Sequence, residues 1–350
     1  MNITMKIILH IGNYKTGTSA LQNFLYKNRQ KLMEYGIYYG NTWKVTNNHA
    51  GLALGILKEA LEEYGLLNCC SDLEELEENP DVTASKIRFI AESRGAETII
   101  ISHEGFFADL LQVSSGLDCC PGRDNIDVVN KFVRKRLKEL FPEAEVVCYL
   151  RRQDLYIESM YMEYCKVPWR GYEVPVEFNR FMARQRLCLD YFREISGWKE
   201  AFRENVFFKV YEKERLLNND IIYDFLCCFA GLGIQDINKL DGSNISESNV
   251  SLSRDALEHK LAYKINEPVL NYLYKVYSGY YPDSVKYGFM RQYEREGFIG
   301  QYSGGNKMLF GEKGFGSDVM TVVYPGLTEE KSIEISHCIK EMAGLWAFGN

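Results

Sequence analysis

The sequence predicts a three-layer α/β fold, with a central parallel sheet flanked by helices and a helical C-terminal extension. Short apolar segments without alternation are typical of strands that are buried on both faces of a parallel sheet. Helical patterns separate these segments, as crossover connections between parallel strands require. We expect the 350 residues to form a single domain. Its α/β core is expected over residues 1–215 and its mostly helical extension over residues 216–350.

Four segments rich in β-branched or aromatic residues are predicted to be strands, because each is bounded by turn residues or charges. They are Lys6–Ile11, Glu97–Ser102, Glu145–Leu150 and Asn205–Val210. Helices are predicted where apolar residues recur at helical spacing. They are Thr18–Tyr35, which Gly36 terminates, Asn130–Leu140, Asp220–Ala230 and Ser253–Ile265. The glycine-rich segment 297–316 is expected to be irregular.

Composition and charge exclude several classes of protein. Hydrophobic residues make up 46% and charged residues 25% of the chain, as in globular proteins. The net charge of −7 argues against bulk electrostatic binding of nucleic acid. No segment resembles a signal peptide or reaches the ~20 apolar residues of a membrane helix. The ten cysteines lack zinc-site spacing, so we interpret them as reduced thiols of a cytoplasmic protein.

A candidate phosphate loop lies between the first predicted strand and the first predicted helix. It reads Gly-Asn-Tyr-Lys-Thr-Gly-Thr-Ser over residues 12–19. Backbone N–H groups in such a turn, together with the positive end of the helix, form an anion site. The alternative is a plain turn in which a hydroxyl residue only caps the helix. The predicted anion-binding residues are Gly12, Lys15, Thr16, Gly17, Thr18 and Ser19.

This loop is not a Walker A loop, in which the lysine directly follows the second glycine. Here Lys15 precedes Gly17 by two positions. A nucleotide hydrolase also needs a carboxylate at a strand end to hold Mg²⁺. Only Glu104, just after the second predicted strand, is placed to serve. We therefore expect the loop to bind phosphate groups without a metal.

The loop resembles that of the sulfotransferases that use 3′-phosphoadenosine 5′-phosphosulfate (PAPS), most of all their bacterial branch. Residues 15–18, Lys-Thr-Gly-Thr, match the loop that holds the 5′-phosphosulfate, and Leu21-Gln22 matches a pair early in the next helix. A second match is independent of the first. Arg151 ends the third predicted strand, and Ser159 follows eight residues later, as in the family's 3′-phosphate site.

Weaker matches extend the resemblance along the chain. Tyr211 resembles a tyrosine that lies near the adenine in the family, and Asn249–Ser253 resembles a stretch that precedes a late helix. The family's late basic loop is expected among Arg291, Arg295 and Lys307. The resemblance thus implies a P-loop-like fold and a PAPS site.

The activity that the resemblance implies is transfer of the sulfuryl group of PAPS, without a metal, to a hydroxyl or amine. The acceptor is expected to be a small molecule or a glycan, and Lys15 to neutralise the leaving phosphate. Family members use a histidine or a glutamate as general base. His49, in a polar loop, and Glu104, at a strand end, both qualify, with His103 behind them.

Other interpretations of these residues stay open. His49 could instead cap the next helix, and Glu104 could bond to the loop backbone or orient the acceptor. His10, inside a strand, is expected to be a core histidine whose hydrogen bonds are satisfied. The alternative functions are a P-loop phosphotransferase or NTPase and a nucleotide-binding scaffold without catalysis. The sequence leaves the oligomeric state open.

Overall fold

The computed structural model describes residues 5–40, 47–107, 123–166, 178–185, 189–242 and 287–312, with positions 314, 315, 322, 323, 333 and 337. Its centre is a sheet of five parallel strands in the order β2-β3-β1-β4-β5. These strands are β1 (Lys6–His10), β2 (Ile37–Tyr39), β3 (Thr98–Ser102), β4 (Glu145–Leu150) and β5 (Val206–Val210). The predicted α/β fold class is confirmed, and all four predicted strands lie in this sheet.

Helices cover both faces of the sheet and so make the three layers. On one face lie α1 (Thr18–Lys27), α2 (Arg29–Glu34) and α9 (Ile221–Cys228). On the other face lie α3 (Ala50–Glu63), α4 (Pro80–Ser93), α5 (Arg123–Leu140) and α8 (Tyr191–Phe202). The remaining elements are α6 (Gln153–Lys166), α7 (Phe178–Gln185), α10 (Ile234–Ile237), α11 (Gln292–Gly300), α12 (Ser303–Phe310), β6 (Tyr287–Gly288) and β7 (Val322–Val323).

Two apolar cores explain why the strands are almost wholly hydrophobic. Alternate strand residues point to opposite faces of a sheet. Ile7 and Leu9 of β1 accordingly lie in the core under α3, α4, α5 and α8, whereas Ile8 lies in the core under α1 and α9. Both faces of β1 are therefore buried, as the sequence predicts for a parallel sheet.

The first helix differs from its prediction, because the chain breaks at Asn28 into α1 and α2. The Asn28 amide donates to the carbonyl of Phe24 at 3.0 Å and to that of Asp241 at 3.0 Å. Its oxygen accepts from the Asp241 N–H at 2.7 Å. This contact spans 213 residues of sequence, so local periodicity could not predict it. Gly36 ends α2 with a φ of +71°, as expected.

Other boundaries shift as well. The helix predicted over Asn130–Leu140 begins earlier, at Arg123, and the strand β2 was not predicted. Helix α9 lies within the predicted Asp220–Ala230. The predicted helix Ser253–Ile265 and the Asn249–Ser253 motif lie outside the described residues.

Contacts between residues divide the chain into two compact units that are interleaved in sequence. The first comprises Met1–Arg152, Leu187–Ser248 and Gly304–Gly316, and it contains the five-stranded sheet. The second comprises Gln153–Arg186, Asn249–Ser303 and Ser317–Asn350. The single-domain organisation expected from the sequence stays a prediction.

In the second unit, a buried arginine joins α11 to α6. Arg295 forms ion pairs with Asp154 and Glu158, and the Arg295 side chain is 3% exposed. The prediction that residues 297–316 are irregular is partly wrong, because residues 292–300 and 303–310 are helical. The ion pairs fix α11 despite its glycines. Three residues were expected in a late basic loop. Of these, Arg295 pairs with carboxylates and Arg291 is exposed. Lys307, which belongs to the first unit, pairs with Glu312 at 2.6 Å.

Among the residues described, no helix combines the length and the apolar character that crossing a bilayer requires. In this part of the chain, Cys148, Cys227 and Cys228 are free thiols.

Candidate anion-binding site

The predicted phosphate loop connects β1 to α1 through three residues with left-handed backbone. Gly12 has a φ of +55°, Lys15 of +61° and Gly17 of +76°. The Thr16 hydroxyl donates to the carbonyl of Asn13 at 2.6 Å, inside the loop. Thr16 therefore uses its hydroxyl proton to close the turn, and a ligand would receive hydrogen bonds from other groups.

The N-terminus of α1 lacks a side-chain cap. Its N-cap residue is Gly17, and in the described part of the chain no side-chain cap hydrogen bond forms there. By contrast, Asn79, Asp190 and Asp220 each cap a helix of the same unit with a side-chain oxygen. The alternative in which Thr18 or Ser19 caps α1 is therefore wrong. An uncapped N-terminus retains the partial positive charge that favours an anion.

Residues that follow two of the strands lie so close to the loop glycines that a larger residue would not fit. A methyl group on Gly12 would lie 3.0 Å from Cα of Glu104, just after β3. A methyl group on Gly17 would lie 2.9 Å from the hydroxyl of Tyr211, just after β5. The ends of β3 and β5 therefore approach the loop from two sides. This brings Glu104 and Tyr211, which the sequence only placed at strand ends, against the predicted phosphate loop.

Arg151 contacts the loop from the end of β4. Its Nη1 donates to the carbonyl of Lys15 at 3.2 Å. Burial raises the pKa of Tyr211, and the nearby charge of Arg151 opposes that rise. Lys15, Gly17, Arg151 and Tyr211 therefore form one cluster at the carboxyl edge of the sheet, where α/β proteins bind ligands.

Sequence reasoning missed Tyr191, a buried residue of α8 that supports this cluster. Its hydroxyl donates to the carbonyl of Arg151 at 2.8 Å and accepts from the Asn13 amide at 3.4 Å. Tyr191 thus joins the end of β4 to the loop. No local signal marks this tyrosine, since it lies 40 residues from Arg151 in sequence.

Gln22 of α1 joins the loop helix to the end of β3. Its side-chain amide donates to the Glu104 carboxylate at 2.8 Å and to the Ser102 hydroxyl at 3.1 Å. Its oxygen accepts from the Asn48 amide at 3.3 Å. The Ser102 hydroxyl also lies 2.8 Å from Nδ1 of His10. Glu104 therefore bonds to a side chain of α1, an arrangement that the sequence alternatives did not include.

His49 is fully buried, although the sequence placed it in a polar loop. Its Nδ1 accepts the backbone N–H of Ser102 at 3.1 Å, so the neutral ring carries its proton on Nε2. Burial lowers the pKa of His49 to about 3. Within the described part of the chain, Nε2 has no hydrogen-bond partner. His49 stands at the N-cap position of α3, but its side chain makes no cap bond.

The other histidines near the site are also neutral donors or acceptors. Burial lowers the pKa of His103, with Glu104 opposing the shift, and its Nδ1 accepts the Gly105 N–H at 3.1 Å. His10 is buried in β1 as expected, but the expectation that its hydrogen bonds are satisfied is wrong, because Nε2 has no hydrogen-bond partner among the described residues. Burial lowers the pKa of His10 to about 3.

Of the remaining predicted residues, two lie at the start of α1 and one lies in the second unit. Thr18 is buried as the first residue of α1, and Ser19 is exposed. Ser159 lies half-buried on α6, in the second unit. In the described residues, no group of histidine, cysteine, aspartate and glutamate side chains is arranged to hold a metal ion.

No family model matches the chain. It is 32% identical over 200 residues to an uncharacterized protein of Archaeoglobus fulgidus. The match covers 54% of this chain and 50% of the archaeal protein, so the chain spans about half the length of that relative.

Proposed function

We propose that the protein is a sulfotransferase that moves the sulfuryl group of PAPS to a hydroxyl or amine of a small-molecule or glycan acceptor. The observation that carries this proposal is the contact between Arg151 and the carbonyl of Lys15, at 3.2 Å. Two motifs separated by 136 residues were each expected to bind a phosphate of one nucleotide. Their meeting at one edge of the sheet supports a ligand with two separate anionic groups.

The cluster offers a positive group for each anionic end of such a donor. Lys15 and the uncapped end of α1 suit the 5′-phosphosulfate, where negative charge develops as the sulfuryl group leaves. Arg151 suits the 3′-phosphate, because guanidinium forms strong paired bonds to phosphate. Tyr211 is assigned to the adenine.

Glu104 suits the role of general base better than His49 does. The lone pair of His49 on Nδ1 already accepts the Ser102 N–H, and burial opposes a charge on the ring. His49 is therefore a hydrogen-bond donor through Nε2. Glu104 is half-buried beside Gly12, and one of its oxygens accepts from Gln22. Its other oxygen accepts no hydrogen bond from the described residues and can take the acceptor proton.

Calorimetric titration with 3′-phosphoadenosine 5′-phosphate (PAP), the product nucleotide, tests the proposal without an acceptor. We expect PAP to bind more tightly than AMP or ATP·Mg²⁺. Arg151→Ala should weaken PAP binding by about 1.5–3 kcal/mol, or roughly 10- to 150-fold. The matched control is Arg29→Ala, since Arg29 also donates to one backbone carbonyl, that of Tyr26 at 2.7 Å. Equal losses in both variants, or no PAP binding, would refute the proposal.

One observation favours a P-loop phosphotransferase or NTPase as the second candidate. Glu104 follows the strand next to β1 and lies against Gly12, where a nucleotide hydrolase holds its metal through a carboxylate. That function predicts preferential binding of ATP·Mg²⁺ and metal-dependent release of phosphate. PAP binding without any transfer would instead support a nucleotide-binding scaffold.

A further inference from the structure

Gln22 is a buried amide whose polar atoms are all engaged at the candidate site. It lies one turn into α1, four residues after Thr18, and is 4% exposed. Its two amide hydrogens go to Glu104 and Ser102, at 2.8 and 3.1 Å, and its oxygen accepts from Asn48. The apolar neighbours Leu21 and Leu25 fill the core on this part of α1. Gln22 therefore serves these polar partners and does not merely fill space.

The bond to Glu104 is the strongest of the three. A hydrogen bond to a carboxylate is charge-assisted and shorter than a neutral one, and the 2.8 Å distance fits that description. Glu104 stands in a short helical turn, Glu104–Phe106, directly after His103. A half-buried glutamate in such a turn has several rotamers open to it. The bond from Gln22 selects one of them.

Helix α1 thereby fixes two parts of the site at once. Its N-terminus follows Gly17 of the phosphate loop, and its second turn carries Gln22. Since a helix is rigid over such a distance, the position of the Glu104 carboxylate is tied to that of the loop. Catalytic groups need this kind of support, because small misplacements are costly in rate.

We infer that Gln22 is a positioning residue for Glu104, holding one carboxylate oxygen so that the other accepts the proton of the acceptor. The inference rests on the proposed sulfuryl transfer. In that step the acceptor oxygen bonds to sulfur. The bond from sulfur to the bridging phosphate oxygen breaks, and its electron pair stays on PAP. The acceptor proton passes to Glu104.

The test combines Gln22→Met with Glu104→Gln in a double-mutant cycle. Methionine keeps the length and bulk of glutamine but cannot donate a hydrogen bond. Turnover is measured as cleavage of radiolabelled PAPS, with water and then with a panel of methyl glycosides as acceptors. Ser102→Ala is the matched control, because it removes a different hydrogen bond of Gln22 and leaves the bond to Glu104.

We expect Gln22→Met to lower kcat about 10- to 100-fold, while KM for PAPS and the Kd of PAP stay nearly constant. In the Glu104→Gln background, Gln22→Met should have no further effect on kcat, since it acts through Glu104. Ser102→Ala should lower the unfolding temperature and should lower kcat less than Gln22→Met does, because the bond to Glu104 remains. An equal loss of kcat in both backgrounds, or an unchanged kcat, would overturn the inference.

A second measurement needs neither turnover nor a folded Gln22 variant. The side-chain amide signals of Gln22 in a ¹⁵N-correlated NMR spectrum should shift when Glu104 is replaced by glutamine. Signals that do not move would overturn the inference by themselves. Absence of PAP binding in the unaltered protein would refute the sulfotransferase proposal. If PAP binds normally and Gln22→Met leaves kcat unchanged, only the positioning role of Gln22 is refuted.

Discussion

Replacing Gly12 by alanine should destabilise the protein far more than the same replacement at Gly95. Both glycines have left-handed backbone, with φ of +55° and +72°. A methyl group on Gly95 would meet no atom within 4 Å. A methyl group on Gly12 would lie 3.0 Å from Cα of Glu104 and 3.0 Å from Cγ2 of Thr18. The first of these is a backbone atom, which cannot rotate away.

The expected losses of unfolding free energy combine two contributions, the strain of left-handed backbone and overpacking by the added methyl group. Left-handed backbone costs an alanine about 1–2 kcal/mol, so Gly95→Ala should lose about 1 kcal/mol once the gain from a stiffer unfolded chain is included. Overpacking in a tight site costs about 1–3 kcal/mol more. Gly12→Ala should therefore lose roughly 2–4 kcal/mol.

Thermal unfolding followed by circular dichroism, with PAP titration of each variant, measures both consequences. Gly95→Ala should unfold at a slightly lower temperature and bind PAP normally. Gly12→Ala should unfold much earlier and bind PAP weakly, because the methyl group pushes the loop away from Glu104. Equal unfolding temperatures for the two variants would refute the reasoning that the loop is closely packed against the end of β3.

Three further predictions concern the framework around the site. Tyr191→Phe should lower stability by about 1–3 kcal/mol, because it removes the partner of two buried polar groups; chemical unfolding measures it. Asp224→Ala should lose about 3–5 kcal/mol, since it removes the carboxylate that pairs with Lys209 at 2.6 Å and with the buried Tyr149 hydroxyl at 2.7 Å. Asp236→Ala, at an exposed pair, should change stability little. His10 and His49 have pKa values of about 3 when folded and about 6.5 when unfolded, so the unfolded chain binds more protons between these values. The free energy of unfolding should fall as the pH drops below ~6.5, by roughly 1.4 kcal/mol per pH unit for each histidine. A denaturant midpoint that stays constant from pH 7 to 5 would contradict this.

The sequence predicted the sheet well because burial on both faces leaves a local signature. β4 was predicted residue for residue, and β1, β3 and β5 each differ by one residue at one end. β2 was not predicted because three residues are too few to show a pattern.

The break at Asn28 was not predicted for a different reason. Its hydrogen bonds to Asp241 are tertiary, and the apolar spacing of a helix continues on both sides of the break.

For the site, the sequence predicted the position of the loop and of the charged side chains better than it predicted which hydrogen bonds the side chains form. Lys15, Glu104, Arg151 and Tyr211 all follow strands or end them, so the parallel topology alone brings them to one edge. The burial of His49 could not be predicted, because it depends on a hydrogen bond to Ser102, 53 residues away. A polar sequence around a histidine does not show whether its lone pair is free.

The left-handed backbone of Lys15 sets stability and function against each other at one position. An L-residue with a φ of +61° carries about 1–2 kcal/mol of strain, which glycine would avoid. Lys15→Gly should therefore relieve strain in the folded chain while removing the charge that an anion would meet. A library of variants at position 15 that is selected for heat resistance alone should enrich glycine. The same library selected for binding of a phosphorylated ligand should return lysine.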